Sequence, residues 1–178
     1  MPAPVLDTPR LRLRGHEMSD MEPFWAFFQS DRARFVGRPK NRTHLWYGFA
    51  SEVGSWDLCG HGGWRVEDRA GTLLGQVAIT QPPHFPELEL GWMLLDGAEG
   101  HGYAQEAATA ALNWAWENLG VDSLVSYIDP ANARSVALAT RLGATPDRAA
   151  HLPLGETADE TVVYRHFPDQ DGGPEAYA

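Results

Sequence analysis

The pattern of apolar and polar positions changes rhythm twice between Glu87 and Glu117. Residues 87–95 are apolar and rich in large side chains, which predicts a strand. A loop follows from Asp96 to Tyr103, with glycines at 97, 100 and 102. From about Ala104 to Leu119 the apolar positions recur at helical spacing. Upstream, Leu11 and Leu13 alternate with Arg10, Arg12 and Arg14, predicting a strand over 10–16. Ser19 with Glu22 reads as a capping box. The helix it opens has Met21, Phe24, Trp25, Phe27 and Phe28 on a broad apolar face. Thr43 predicts the cap of a second helix, with Leu45, Trp46, Phe49, Ala50 and Val53 inward. Strands over 63–68 and 72–80 form a hairpin about Arg69-Ala70-Gly71. Pro82, Pro83 and Pro86 end that pairing in a loop with His84 and Phe85 at its tip.

Beyond the central helix, Gly120 is a C-cap, residues 123–128 a strand and 133–142 a shorter helix stopped by Gly143. Two last strands are expected over 146–152 and 160–166. Residues 1–9 form an extended lead-in, and 168–178 a frayed tail without apolar pattern. The order β α α β β β α β α β β predicts an α+β fold. Its mixed, mostly antiparallel sheet of six or seven strands has helices on both faces and one parallel crossover. No linker or repeat divides the chain, so residues 1–167 are expected to be one domain.

Composition narrows the function classes. With 43% apolar residues and seven tryptophans the chain of 178 residues is expected to build a core. A net charge of −10 and no basic stripe argue against nucleic acid and suit cationic partners such as amines. The one cysteine, Cys59, permits no internal disulfide and is expected to be a packed side chain. No run is long enough for a membrane span and no leader pattern opens the chain, so a cytoplasmic monomer or homodimer is expected. Residues 31–42 carry five Arg or Lys, either a solvated loop or a contact to substrate or phosphate.

The glycine loop before the central helix is the chain's clearest chemical feature. Helix N-termini leave N–H groups unpaired and favour negative charge, so such a junction suits a phosphate. The dinucleotide fingerprint fails, because Gln105 stands at its third glycine position. The P-loop fails as well, because no Lys-Ser/Thr pair follows Gly102.

Four segments occur in a familiar order: Glu89-Leu90-Gly91-Trp92-Met93-Leu94, then Gly100-His101-Gly102-Tyr103-Ala104-Gln105-Glu106-Ala107, Asn132-Ala133-Arg134-Ser135 and Arg141-Leu142-Gly143-Ala144. With the opening Leu6-Asp7-Thr8-Pro9-Arg10-Leu11-Arg12-Leu13, they resemble the GNAT superfamily of acetyl-CoA-dependent N-acetyltransferases over roughly residues 6–165. The branch most resembled contains the ribosomal-protein N-terminal acetyltransferases.

The resemblance implies a splayed parallel strand pair that binds acyl-CoA, with acetyl-CoA as co-substrate and no metal. It assigns the pyrophosphate loop to Glu99, Gly100, His101, Gly102, Tyr103 and Ala104, with Gln105 next. Glu99 departs from the family, which has a basic or neutral polar residue there; a backbone cradle tolerates it if the side chain turns to solvent. The pantetheine arm falls to Trp92, Met93 and Leu94, with a bulge expected at Gly91. Ser135 matches a thiolate-facing serine. Asn132 matches a pantetheine contact and is equally suited to capping its helix. Arg134 and Arg141 are implied CoA phosphate contacts or plain surface charge.

Acetyl transfer needs a neutral amine, a stabilised carbonyl oxygen and a proton for the leaving thiolate. Glu89 is the first choice of base, with Glu87, His84 or a bound water as alternatives. A backbone N–H near Trp92 or Met93 is the expected oxyanion donor. The acceptor is a protein N-terminus or a small amine, with Phe35, Trp46 and Phe85 as candidate pocket walls. Two rivals are a non-catalytic acyl-CoA-binding module and a nucleotide-dependent oxidoreductase.

Overall fold

The computed structural model describes residues 2–168. Its elements run β1 (Leu6–Asp7), β2 (Leu11–Arg14), α1 (Met21–Gln29), α2 (Arg42–Cys59), β3 (Gly63–Asp68), β4 (Leu73–Thr80), β5 (Glu89–Leu94), α3 (Tyr103–Asn118), β6 (Leu124–Ile128), α4 (Ala133–Arg141), β7 (Thr145–Pro146) and β8 (Val162–His166). The strands form one sheet in the order β1-β2-β3-β4-β5-β6-β8-β7. Among the described residues only β5 and β6 pair in parallel.

This is the expected α+β architecture, with more strands than the six or seven foreseen. The surplus includes the short β1, inside the lead-in. The strand expected over 146–152 shrinks to Thr145–Pro146, because Asp147 instead turns the chain, accepting from the N–H groups of Ala149 and Ala150. Of the expected tail, residues 169–178 lie outside the described residues. Among the described residues no helix is long and apolar enough to cross a membrane.

Strand alternation sorts the sheet into two faces. Trp64, Val77 and Trp92 are cross-strand neighbours on the face covered by α3. That helix buries Ala107, Ala108, Ala111 and Ala115, small side chains that let it lie close to the strands. Trp56, Trp64 and Trp114 meet edge to face, with ring centroids 4.5–5.3 Å apart. On the opposite face the neighbours are Gly63, Ala78 and Gly91. Helices α1 and α2 cover that face through Phe24, Phe27, Phe28, Leu45 and Phe49.

Local signals were displaced more than elements. Ser19 is not a cap: Glu17 and Asp20 form a reciprocal capping box around a short 3₁₀ turn at Met18–Asp20. Glu22 instead reaches Arg42. Helix α2 is capped by Asn41, whose side chain accepts from His44 N–H at 3.0 Å, not by Thr43. Its buried stripe is Leu45, Phe49 and Trp56, whereas Trp46 and Val53 are 46% and 44% exposed. Cys59, expected to be packed, ends α2 exposed.

Candidate active site

A cavity of about 470 Å³ opens on the α1–α2 face of the sheet, where β5 and β6 part. The parallel ladder between them is short: Val125 N–H reaches Leu88 O, and Glu89 is paired with Val125. Beyond this point side chains replace the ladder. Ser126 Oγ donates to Leu90 O at 2.7 Å, and the Tyr127 N–H turns to the Glu89 carboxyl. The expected bulge at Gly91 is not there, because β5 keeps unbroken register with β4 from Glu89 to Leu94. The gap opens on the β6 side alone. Leu90 O faces β6, so by alternation Trp92 N–H and C=O face the gap, while the Met93 amide is turned toward β4.

Glu89 lies at the wall of this cavity. Burial pushes its carboxyl up to about 8; the Tyr127 N–H works the other way, and the Glu52 and Glu156 carboxylates raise it further. Glu87 is committed elsewhere: Arg165 binds it bidentately at 2.6 and 2.9 Å. His84 stacks edge-on against Phe85 in an exposed loop. Of the three groups weighed as base, only Glu89 belongs to the cavity lining.

Asn132 and Ser135 reach the same cavity from the start of α4. Asn132 is the helix cap, accepting from Ser135 N–H at 3.3 Å. The Ser135 hydroxyl in turn accepts from the Trp92 indole N–H at 3.3 Å. Phe35 lines the cavity, but Trp46 and Phe85 do not.

The glycine loop stands apart from the cavity lining. Gly100 and Gly102 take φ of 80° and 78°, the left-handed region where a side chain is strained. Gly102 is the N-cap of α3, and Glu106 N–H makes the first bond back to its carbonyl. The amides of Tyr103, Ala104 and Gln105 therefore precede the helical ladder and converge at a positive helix end. His101 is exposed; its carbonyl accepts from Arg10 and its ring lies 5.4 Å from Tyr103.

Glu99 does not turn freely to solvent. It pairs with Arg32 and, at 3.1 Å, with Arg134. Arg32 comes from the basic 31–42 segment, and also donates to Leu94 O at 2.9 Å and to Asp96 at 3.3 Å. The acid beside the cradle is thus neutralised by two cations, and the Leu94 carbonyl expected to face pantetheine is already engaged.

Two functional-looking residues escaped the sequence reading. Glu106 is buried in the first turn of α3, held by Thr8 Oγ1 at 2.5 Å, Arg10 N–H at 2.9 Å and Arg10 Nε at 2.7 Å. The lead-in thereby fastens the helix end that forms the cradle. Glu52 lines the cavity from α2, and burial raises its carboxyl to about 7. A signal for it existed: Leu45, Phe49, Glu52 and Trp56 follow helical spacing, so a carboxylate sits in an apolar stripe.

Comparison with known proteins agrees with this geometry. A family profile described as an acetyltransferase (GNAT) domain matches residues 10–145. An acetyltransferase from Agrobacterium tumefaciens strain C58 superposes with a TM-score of 0.87 at 39% identity, covering 94% of this chain and 96% of that one. A Vibrio cholerae protein, provisionally assigned as a ribosomal-protein-serine acetyltransferase, gives 0.76 at 28% identity, with 94% and 99% covered. The microcin C7 self-immunity acetyltransferase MccE, solved with acetyl-CoA and AMP, shares the fold at 13% identity and a TM-score of 0.72, with 90% and 94% covered. A strand pair parted beside a glycine-capped helix, and a match spanning most of the chain, lead to one assignment: this protein belongs to the GNAT acetyltransferase family.

Proposed function

We propose that the chain is an acetyl-CoA-dependent N-acetyltransferase that moves an acetyl group to a primary amine by direct attack in a ternary complex. The observation that carries this reading is Glu89, a carboxyl of raised pKa held at the parting of β5 and β6 within the cavity. A base of this kind is matched to an amine that must lose a proton near neutral pH.

The fit to acetyl-CoA rests on the cradle. Left-handed Gly100 and Gly102 leave room for a close backbone approach, and the amides of Tyr103, Ala104 and Gln105 suit a pyrophosphate. When bound, acetyl-CoA supplies an activated acetyl thioester. The remaining work belongs to the chain. Trp92 N–H and C=O offer the pantetheine amides an added-strand partner, and Trp92 N–H is suited to a carbonyl gaining negative charge. Glu89 accepts the proton that leaves the attacking nitrogen as the N–C bond forms. Ser135, oriented by Trp92 and by the Asn132 cap, donates a hydrogen bond to the sulfur as the C–S bond breaks. Arg32 and Arg134 are cations beside the cradle, held in place by Glu99. A single unpaired cysteine and an acidic surface suit an enzyme of the reducing cytoplasm.

Thermal shift with acetyl-CoA, followed by thiol release across a panel of primary amines, tests the reading. Binding with amine-dependent thiol release supports it. Failure to bind at millimolar acetyl-CoA, or binding without thiol release for any amine, would overturn it.

A further inference from the structure

The cavity has a second acidic end that the reaction above does not use. Glu52 projects from the inner stripe of α2 onto the sheet. Its Oε2 is buried without a hydrogen-bond partner, and its other oxygen meets only Gln76 Nε2, at a long 3.5 Å. The sheet beneath is built to admit it. A Cβ at Gly63 would stand 2.7 Å from Glu52 Oε2, so the glycine is what gives the carboxyl its space. At the opposite end of the same row, a Cβ at Gly91 would stand 3.6 Å from Glu89 Oε2.

Gly63, Ala78 and Gly91 are successive cross-strand partners. They give the trough a floor without side chains beyond one methyl group. Two strand spacings of ~4.8 Å separate its ends, so the carboxyls stand about 10 Å apart along the floor. Phe24, Phe28 and Phe49 line the same cavity with apolar surface. The basic side chains that also line it, Arg38 and His44, are exposed at its rim, and Arg38 is engaged with Ser30 O at 2.8 Å. A buried acceptor without a donor is costly in the empty protein and is satisfied by a ligand that brings one.

Resting on the acyl-transfer reading, we infer that Glu52 selects the acceptor: a primary amine bearing a second cationic group a few atoms away. The reacting nitrogen lies toward Glu89 and the second ammonium donates to Glu52. With each nitrogen ~2.8 Å from its carboxylate, the trough leaves roughly 4–5 Å between them when collinear, and somewhat more when they lie off the axis. Three or four methylenes span that distance. The aromatic wall covers the methylenes between.

Calorimetric titration of the full chain, with and without CoA, compares butane-1,4-diamine with butylamine. The diamine is expected to bind at least about tenfold more tightly, the scale of a charge-assisted hydrogen bond. Glu52→Gln keeps the size of the side chain and removes its charge. It is expected to bring the two amines to near equality by weakening the diamine. Equal affinities in the wild type, or a diamine preference that survives Glu52→Gln, would overturn the inference. The wild-type comparison decides it even if the variant does not fold. Loss of thiol release with a diamine preference intact would count against acyl transfer and still support the second acidic end.

Discussion

Replacing Glu89 with glutamine removes one carboxyl from the cavity and tests two consequences of its burial at once. In the folded protein the group titrates at about 8 against an ordinary value of 4.5. Between those values the folded state keeps a proton that the unfolded chain has lost. Wild-type stability therefore falls as pH rises through this window, by up to about 1.4 kcal/mol per pH unit for this group. Water entering the cavity makes this an upper value. Glutamine has no proton to lose, so Glu89→Gln escapes the penalty. From pH 5.5 to 7.5 the variant gains up to about 2.7 kcal/mol relative to wild type, a relative rise in Tm of roughly 5–10 °C for a domain of this size. Turnover moves the opposite way. Wild-type kcat/KM climbs toward pH 8 as the base ionises, whereas the variant loses about 10²–10⁴ of it near pH 8, progressively less at lower pH, and lacks the part of the rise that Glu89 supplies. Paired melting curves and initial-rate profiles across this range are the assay. A Tm difference that does not change with pH, or shifts in favour of wild type, would refute the buried-base argument. A pH-rate profile unchanged by the substitution would refute the catalytic one.

Three further substitutions probe the cradle and its supports. Glu99→Gln frees Arg32 and Arg134 from their carboxylate and should lower the KM for acetyl-CoA by up to about fivefold, an effect that fades with added salt; steady-state kinetics at two ionic strengths measure it. Gly102→Ala forces a side chain into φ of 78° and within 3.3 Å of Arg10 Nη2. It should cost about 1–2 kcal/mol in denaturant unfolding and raise the KM for acetyl-CoA more than that for the amine. Glu106→Gln removes a charged partner of Thr8 and Arg10, at about 1.5–3 kcal/mol near neutral pH. The Glu106 carboxyl is held below 4.5 when folded, its hydrogen bonds to Thr8 and Arg10 outweighing burial. Its contribution is present above that value and lost as pH falls below it, so the variant's acid-unfolding curve should be flatter there.

What the sequence revealed and what it hid divide along the reach of the interactions. The strand at 87–95, its glycine loop and the helix behind it were legible because each rests on local rhythm and on glycines that open left-handed turns. Asn132 was legible as a helix cap because capping is settled within a few residues. The Glu106 clamp was not, since its partners at Thr8 and Arg10 lie more than ninety residues away. Glu99 looked like a defect because its neighbours in sequence offer no cation; Arg32 and Arg134 arrive from other elements. Glu52 was hidden by a misplaced stripe. Assigning Trp46, Ala50 and Val53 to the inner face of α2 rotated the helix, and residue 52 dropped out of the cavity it lines.

The position of the site follows from the parallel contact between β5 and β6. Antiparallel neighbours can pair along their full length, as β4 and β5 do. The β5–β6 pair is joined by a whole helix, and right-handed twist drives its far ends apart unless the ladder holds them. Here the ladder stops after one register pair, and two of the backbone groups freed there are met by side chains. Leu90 O takes the Ser126 hydroxyl, and Tyr127 N–H takes the Glu89 carboxyl. The second of these gives the cavity its chemistry. A carboxyl that fills a gap between strands is desolvated by the same geometry that separates them. Its one backbone donor offsets only part of that cost, so the group remains a base matched to neutral pH. Closing the gap would satisfy Tyr127 through Leu90 O and release Glu89 to solvent. Any substitution that extends the β5–β6 ladder should therefore lower the Glu89 pKa and narrow the cavity together, and carboxyl titration followed by NMR would reveal the two as a single change.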